Sequence, residues 1–107
     1  MSIERQMELL AELAQIVHES AEEPYSEAHC DFEYECGEKD WAVGFGFSYT
    51  AQGVSKSKLL KNPQNQVPEL VHELHEIMLH HTGGFWKQFV LSIDADGKAH
   101  TKFFIEE

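Results

Sequence analysis

Histidine and glutamate side chains concentrate in one segment and are the residues best suited to metal chemistry. Four of the seven histidines lie between positions 72 and 81, and His72-Glu73-Leu74-His75 approaches the zinc pattern His-Glu-x-x-His. The second histidine falls one position too early, so that motif is absent. On a helix, His72 and His75 would still share one flank with Glu76 beside them, close enough for a common metal ion. A solvated helical face explains the pattern with fewer assumptions, and we predict no metal site.

A second pattern, alternating between apolar and acidic residues, runs from Ala28 to Cys36. Asp31, Glu33 and Glu35 occupy its acidic positions. Because neighbouring side chains of a strand point to opposite faces, the three carboxylates are predicted to stand in a row about 7 Å apart on the solvent side of a sheet. Such a row repels itself, and folding alone does not favour it. The pattern therefore indicates a surface that binds a positively charged partner.

The charge of the chain is large and unevenly distributed. Its 107 residues include 19 acids and 8 bases, which gives a net charge of -11 at pH 7, and nine acids lie between Glu19 and Asp40. This balance disfavours nucleic acid and anionic membranes as direct ligands. Solubility alone would explain an acidic chain, whereas the clustering favours a basic protein partner.

Other motifs with catalytic potential are absent. Asp94-Ala95-Asp96-Gly97 resembles the start of a calcium loop but lacks the remaining ligand positions, so we interpret it as a turn. Gly44 and Gly46 lie inside a predicted strand and not in a phosphate-binding loop. We predict that the protein has no cofactor and no catalytic residues, and that it is not an enzyme.

The elements that position these residues begin with two helices. Apolar residues at three- and four-residue spacing predict an amphipathic helix from Ile3 to Ala21. A second helix is predicted to begin at Pro68 and to end at the glycines at positions 83 and 84.

Strands are predicted on either side of the second helix. The acidic strand and the strand from Trp41 to Tyr49 form a hairpin, in which the small residues Ala42, Gly44, Gly46 and Ser48 leave a bare lane beside the acidic row. Such glycines serve either the close approach of another surface or a bulge or strong twist of the strand. The lysine-rich segment 51–66 is predicted as a loop or a short edge strand. Two closing strands span 85–94 and 99–106 around a glycine turn.

These elements predict a single α+β domain over residues 1–107, in the order α-β-β-connector-α-β-β. We expect an antiparallel sheet of four to five strands with both helices on its aromatic face. Trp86 is out of phase with Phe89 and Leu91, which predicts an outer-face position. The predicted core comprises Leu10, Leu13, Val17, Phe32, Tyr34, Trp41, Phe45, Phe47, Leu70, Leu74, Ile77, Phe89, Leu91 and Phe103.

Cysteine usage and hydropathy predict the compartment. Cys30 and Cys36 lie on one face of one strand, roughly 20 Å apart, too far for a disulfide within the chain. They are expected to be buried, reduced thiols. No basic-then-apolar leader precedes the first helix, and no apolar run approaches the ~20 residues that span a bilayer. We expect a soluble, cytoplasmic protein.

The order of these elements resembles the YezG-like immunity proteins of bacterial toxin systems. The resemblance covers nearly the whole chain. Its features are the first helix, the acidic strand Asp31-Phe32-Glu33-Tyr34-Glu35, the aromatic strand from Trp41 to Tyr49, the acidic helix from Pro68 to His81, and the closing strands with Phe85-Trp86-Lys87-Gln88-Phe89-Val90-Leu91 and Phe103-Phe104. It implies a cytoplasmic antidote that binds a cognate toxin, often a nuclease, in competition between bacteria.

Charge and resemblance together predict an immunity protein that occludes the active surface of a basic toxin. A general protein-interaction or assembly module of the cytoplasm is the alternative, and a metal-dependent enzyme using His72 and His75 is a third. The protein is expected to be a monomer or a homodimer. The predicted toxin-binding residues are Asp31, Glu33, Glu35, Glu38, Asp40, Glu69, Glu73 and Glu76.

Overall fold

Five antiparallel strands form one sheet, and two helices pack on one of its faces. The computed structural model describes residues 2–61, 66–82 and 86–105. The sheet order is β3-β2-β1-β4-β5, and the predicted α+β class is confirmed. The elements are α1 (Ser2–Ser20), β1 (Glu27–Cys36), β2 (Trp41–Ala51), β3 (Val54–Lys58), α2 (Gln66–Thr82), β4 (Trp86–Ile93) and β5 (Ala99–Ile105).

The lysine-rich connector contains the short edge strand β3, one of the two predicted outcomes. Gln52 and Gly53 join it to β2, and both have positive φ angles, of 53° and 75°. A pair of positive φ angles is the geometry of a two-residue turn whose twist matches that of a hairpin. β3 pairs only with Phe47–Ala51, so it covers less than half of β2.

Both predicted helices form with small differences at their ends. α2 begins at Gln66, two residues before the predicted start, and Pro68 lies in its first turn, where a missing N–H costs nothing. The glycines at 83 and 84, which were predicted to end this helix, lie outside the described residues. Neither helix is long and apolar enough to cross a membrane within the described part of the chain.

The hydrophobic core lies between the helices and the face of the sheet that carries the aromatic residues. Ala28, Cys30, Phe32 and Tyr34 of β1 are buried, and the residues between them are not. This alternation confirms the predicted faces of β1. Leu9, Leu13, Val17, Val71 and Leu74 cover this face from the helices.

Five predicted core residues are only partly buried, because they lie near the margins of the sheet and the helix pair. They pack against the buried cluster from its periphery, and they are Leu10, Trp41, Phe45, Ile77 and Phe103.

Trp86 contradicts its predicted outer position and is fully buried. A β-bulge between Trp86 and Gln88 shifts the register against β5. The extra residue in one strand reverses the alternation, so Trp86 and Phe89 face the same side, with ring centroids 5.0 Å apart.

The two cysteines differ in environment, contrary to the prediction that both are buried. Cys30 is buried and Cys36 is exposed, and neither forms a disulfide. Burial raises the pKa of the Cys30 thiol to about 12. Cys36 is the last residue of β1 and lies outside the buried cluster, which ends along this strand at Tyr34.

Candidate protein-binding surface

The three carboxylates of β1 lie on the face of the sheet opposite the helices. Asp31, Glu33 and Glu35 are exposed, while their neighbours Phe32 and Tyr34 are buried under the helices. Within the described residues, no salt bridge engages any of the three carboxylates. The predicted acidic row is therefore present, and its charges are not paired.

A lane without large side chains runs beside this row on β2. Asp31 is paired with Gly46, Glu33 with Gly44 and Glu35 with Ala42. A Cβ atom added at either glycine would meet nothing within 4 Å, so the missing side chains leave open space and are not required by close packing. The predicted glycine lane is confirmed.

The other side of the row is bordered by β4. Val90 stands opposite Asp31, and Gln88 stands opposite Glu33. Lys87 lines the same depression as Glu33 and Glu35, which places one cation near the end of the row. Lys58 lines the depression at the other end of the row, beside Asp31. Three carboxylates beside these two lysines leave the surface negative.

The turn that follows β1 carries two more exposed acids, Glu38 and Asp40. The turn is closed by a hydrogen bond of 2.7 Å in which the Gly37 N–H donates to the Asp40 carbonyl. Because the turn joins β1 to β2, its acids continue the row at the end of the hairpin. We call the exposed acids of this region the acidic hairpin surface; its members are Asp31, Glu33, Glu35, Glu38 and Asp40.

Aromatic rings on the buried side anchor this hairpin to α2. The ring of Trp41 stacks on His72 with centroids 4.2 Å apart and planes only 5° from parallel. Tyr34 stacks on His75 at 4.1 Å, and its hydroxyl lies 2.8 Å from Nδ1 of His72. These contacts hold the acidic hairpin surface on a rigid base. The sequence analysis did not predict this stacking. The prediction that His72 and His75 share one flank of the helix was the pattern that could have indicated it.

The predicted solvated helical face is therefore wrong for His72 and His75, because both rings pack against aromatic residues of the sheet. His75 is 2% exposed, and burial lowers the pKa of its imidazole, opposed by a hydrogen bond with the Trp86 backbone. Nε2 of His72 lies 4.0 Å from a carboxylate oxygen of Glu76. No group of three potential metal ligands was found among the described residues.

The three acids predicted on α2 do not join the acidic hairpin surface, because α2 packs on the opposite face of the sheet. Glu73 accepts two hydrogen bonds from the Arg5 guanidinium, at 2.5 and 2.9 Å, and these lower the pKa of its carboxyl. Glu76 lies beside His72, and Glu69 is exposed on the helix. The eight predicted residues therefore divide into five on the hairpin and three on the helical side.

Two further acids of the chain are neutralised by the edge strand. Glu23 accepts hydrogen bonds from Lys56 and from the Tyr49 hydroxyl, at 2.5 and 3.1 Å, and its pKa is lowered as a result. Lys58 lies 4.0 Å from Glu22. The lysines of β3 thus pair with acids that precede the hairpin, whereas no salt bridge engages the acids of the acidic hairpin surface within the described residues.

The fold and this surface define an α+β domain with a negative sheet face that neither helix covers. No family model matches the chain. A protein of Stenotrophomonas maltophilia named "Chorionicgonadotropic hormone-like protein" is 37% identical over 79 residues, which cover 71% of this chain and 18% of that protein. The chain therefore spans less than a fifth of the length of this relative.

Proposed function

We propose that this protein is an immunity protein that binds a basic bacterial toxin through its acidic hairpin surface and thereby neutralises it. The observation that supports the proposal most directly is the row formed by Asp31, Glu33 and Glu35. The row is exposed, has no salt bridge to any described residue, and lies beside an open glycine lane. Like charges in a row and glycines within a strand both weaken a sheet. Binding of a partner would explain why both destabilising features occur together on one face.

The inhibition follows from electrostatics and steric exclusion. A toxin that cleaves nucleic acid binds phosphates with a basic surface, and an acidic protein is steered toward that surface by long-range attraction. Once bound, it covers the surface on which nucleic acid would lie. The stacked contacts of Trp41 with His72 and of Tyr34 with His75 keep the hairpin in place before binding, so little order has to be gained on association.

The cognate toxin is expected to be a basic protein encoded beside this one, and the antidote is expected to act in the cytoplasm. The resemblance to the YezG-like immunity proteins supports this assignment. A cytoplasmic module that only assembles other proteins would use the same surface, but it would not rescue cells from a toxic partner. Rescue of growth is therefore the distinguishing measurement.

The test is a charge reversal with a matched control. Asp31→Lys, Glu33→Lys and Glu35→Lys together should slow association with the toxin about 10- to 100-fold at low ionic strength, and should weaken growth protection. Glu4→Lys, Glu19→Lys and Asp96→Lys change the net charge equally at exposed positions outside the acidic hairpin surface. Stopped-flow association and growth during toxin expression measure the two effects.

The two sets of variants separate the possible outcomes. A loss confined to the β1 set supports the proposed surface. Equal losses of association rate and growth protection in both sets would show that only the net charge matters. Unchanged protection in the β1 set would assign binding to another surface. If this protein binds the basic protein encoded beside it but does not protect growth, the immunity function is overturned.

A further inference from the structure

One half of β2 has a free edge. β1 pairs with β2 along Trp41–Thr50, whereas β3 pairs only with Phe47–Ala51. Among the described residues, no strand lies beside Trp41–Gly46 on the β3 side. Within the described part of the chain, this six-residue segment is therefore an edge of the sheet. Leu59 and Leu60, which follow β3, line a depression with Phe45 and Gly46 at the end of the segment nearest β3.

The backbone of this segment presents hydrogen-bonding groups to the open side. Gly37 and Asp40 form a hydrogen-bonded pair at the end of the β1–β2 ladder. Since such pairs alternate with non-hydrogen-bonded pairs along an antiparallel ladder, Trp41, Val43 and Phe45 direct their N–H and C=O groups away from β1. These are the donors and acceptors that an added strand would use.

The edge also lacks the features that usually prevent strand addition. Edge strands are commonly protected by lysine, proline or a bulge, and β3 carries Lys56 and Lys58. The segment Trp41–Gly46 contains no charge and no proline. An unprotected edge inside a highly charged protein is consistent with use as a binding site.

The two faces of the edge specify different side chains in an added strand. On the helical side, Trp41, Val43 and Phe45 are half-buried and favour apolar neighbours. On the outer side, the added strand would lie two strands from β1, about 10 Å away, with only the bare glycines between. A lysine or arginine extended across Gly44 or Gly46 would reach toward Glu33 or Asp31.

Shallow depressions connect the acidic row to this edge. One is lined by Asp31, Glu33, Gly44, Phe45 and Gly46. A second depression is lined by Asp31, Gly46 and Leu59, and Lys58 also borders it. Leu59 lies directly after β3 and is 94% exposed. The two depressions share Asp31 and Gly46, so the acidic row and an exposed apolar side chain border neighbouring hollows beside the edge.

We infer that the free edge of β2 binds an extended segment of the toxin, in which basic residues alternate with apolar ones, as an additional strand beside Trp41–Gly46. The inference rests on the proposed function and names the binding mode and the partner's chemistry. Main-chain hydrogen bonds supply affinity in such complexes, and alternate side chains supply specificity. A second copy of this chain fits the edge less well, because it would bring two acidic rows together.

A synthetic peptide tests the edge without the toxin. The probe is a fluorescent eight-residue peptide in which lysine alternates with valine, and the comparison peptide has the same composition with its lysines contiguous. At low ionic strength the alternating peptide should bind about tenfold more tightly in fluorescence anisotropy. Equal binding of the two peptides would show that charge alone is recognised and would overturn the inference.

Two substitutions locate the bound peptide. Val43→Pro removes an N–H that faces the open side and that the β1 ladder does not use, so it should lower affinity about tenfold; Val43→Ala keeps the N–H and is its control. Gly44→Val with Gly46→Val fills the lane, since a Cβ at either position meets nothing within 4 Å, and should also weaken binding. Thr50→Val, on the same outer row beside β3, is the matched control.

Failure of the binding mode and failure of the function are distinguishable. If the toxin is neutralised equally well by the wild type and by the folded Gly44→Val, Gly46→Val variant, the immunity function stands and the edge inference falls. If the alternating peptide binds the edge but no toxin encoded beside this protein is neutralised, the edge inference is supported and the immunity function is overturned. If the wild type is a homodimer and Val43→Pro dissociates it, the occupant of the edge is a second copy of this chain, and the inference is overturned.

Discussion

Asp31 on β1 stands directly opposite Gly46 on β2, so a carboxylate that forms no salt bridge with the described residues borders open space. Neither residue helps the sheet to form. The carboxylate repels Glu33 two positions along the strand, and the glycine gives up side-chain packing. Their pairing on the uncovered face links the charge of the chain to a specific place where a partner can approach closely.

Neutralising the acidic row is expected to stabilise the protein. Asp31→Asn, Glu33→Gln and Glu35→Gln together should raise the free energy of unfolding by about 1 kcal/mol, because adjacent like charges on one face are removed. Urea denaturation measures the change, and Glu4→Gln, Glu19→Gln and Asp96→Asn, at exposed positions without a salt bridge among the described residues, serve as the control for net charge. Lower stability in the row variant would mean that the carboxylates have a structural role.

The buried position of Trp86 predicts a large cost of truncation. Trp86→Ala should lower the free energy of unfolding by roughly 3–5 kcal/mol, because it removes a fully buried ring from the core. Phe104 is an aromatic residue of the edge strand β5 that remains 44% exposed, and Phe104→Ala should cost far less. Comparable losses in the two variants would contradict the reversal of strand phase that the bulge produces.

The buried imidazole of His75 predicts a pH dependence of stability. Burial lowers the pKa of His75 in the folded protein below its ordinary value of 6.5. The folded state therefore favours the neutral ring: its contribution is fully present above about pH 6.5 and is lost as the pH falls through the folded pKa. Glu76 and His72 are the titratable groups that influence it.

Urea denaturation between pH 7 and pH 5 checks this prediction. The wild type should lose more stability over this range than His75→Leu, in which no imidazole has to be protonated. His80→Gln, at an exposed position of the same helix, should follow the wild type. A parallel decline in wild type and His75→Leu would assign the acid sensitivity to other groups.

Local patterns in the sequence predicted much of the architecture, because they depend on spacing along a single element. The alternation in β1 sets which face its carboxylates occupy. The spacing of apolar residues in α1 and α2 sets the sides that meet the sheet. For the same reason the glycine lane could be predicted beside Asp31 and Glu33: a hairpin turn between two alternating strands brings their faces into register.

Features that depend on residues distant in the sequence were not predictable in this way. The bulge at Trp86 appears only when β4 is paired with β5, and it reverses the predicted position of a large core residue. The association of Tyr34 with His72 and His75 joins a strand to a helix on the far side of the connector. Packing of α2 on the helical face separates Glu69, Glu73 and Glu76 from the acids of the hairpin.

The sequence by itself determined that this protein has a strand with one apolar and one acidic face, next to a strand whose outer side is nearly bare. Only the tertiary structure decided that this acidic face is left uncovered by both helices and that β3 stops at the middle of β2. The physical reason is that side-chain periodicity is a property of each strand alone. Which faces and edges remain open depends on how far every other element extends and where it packs.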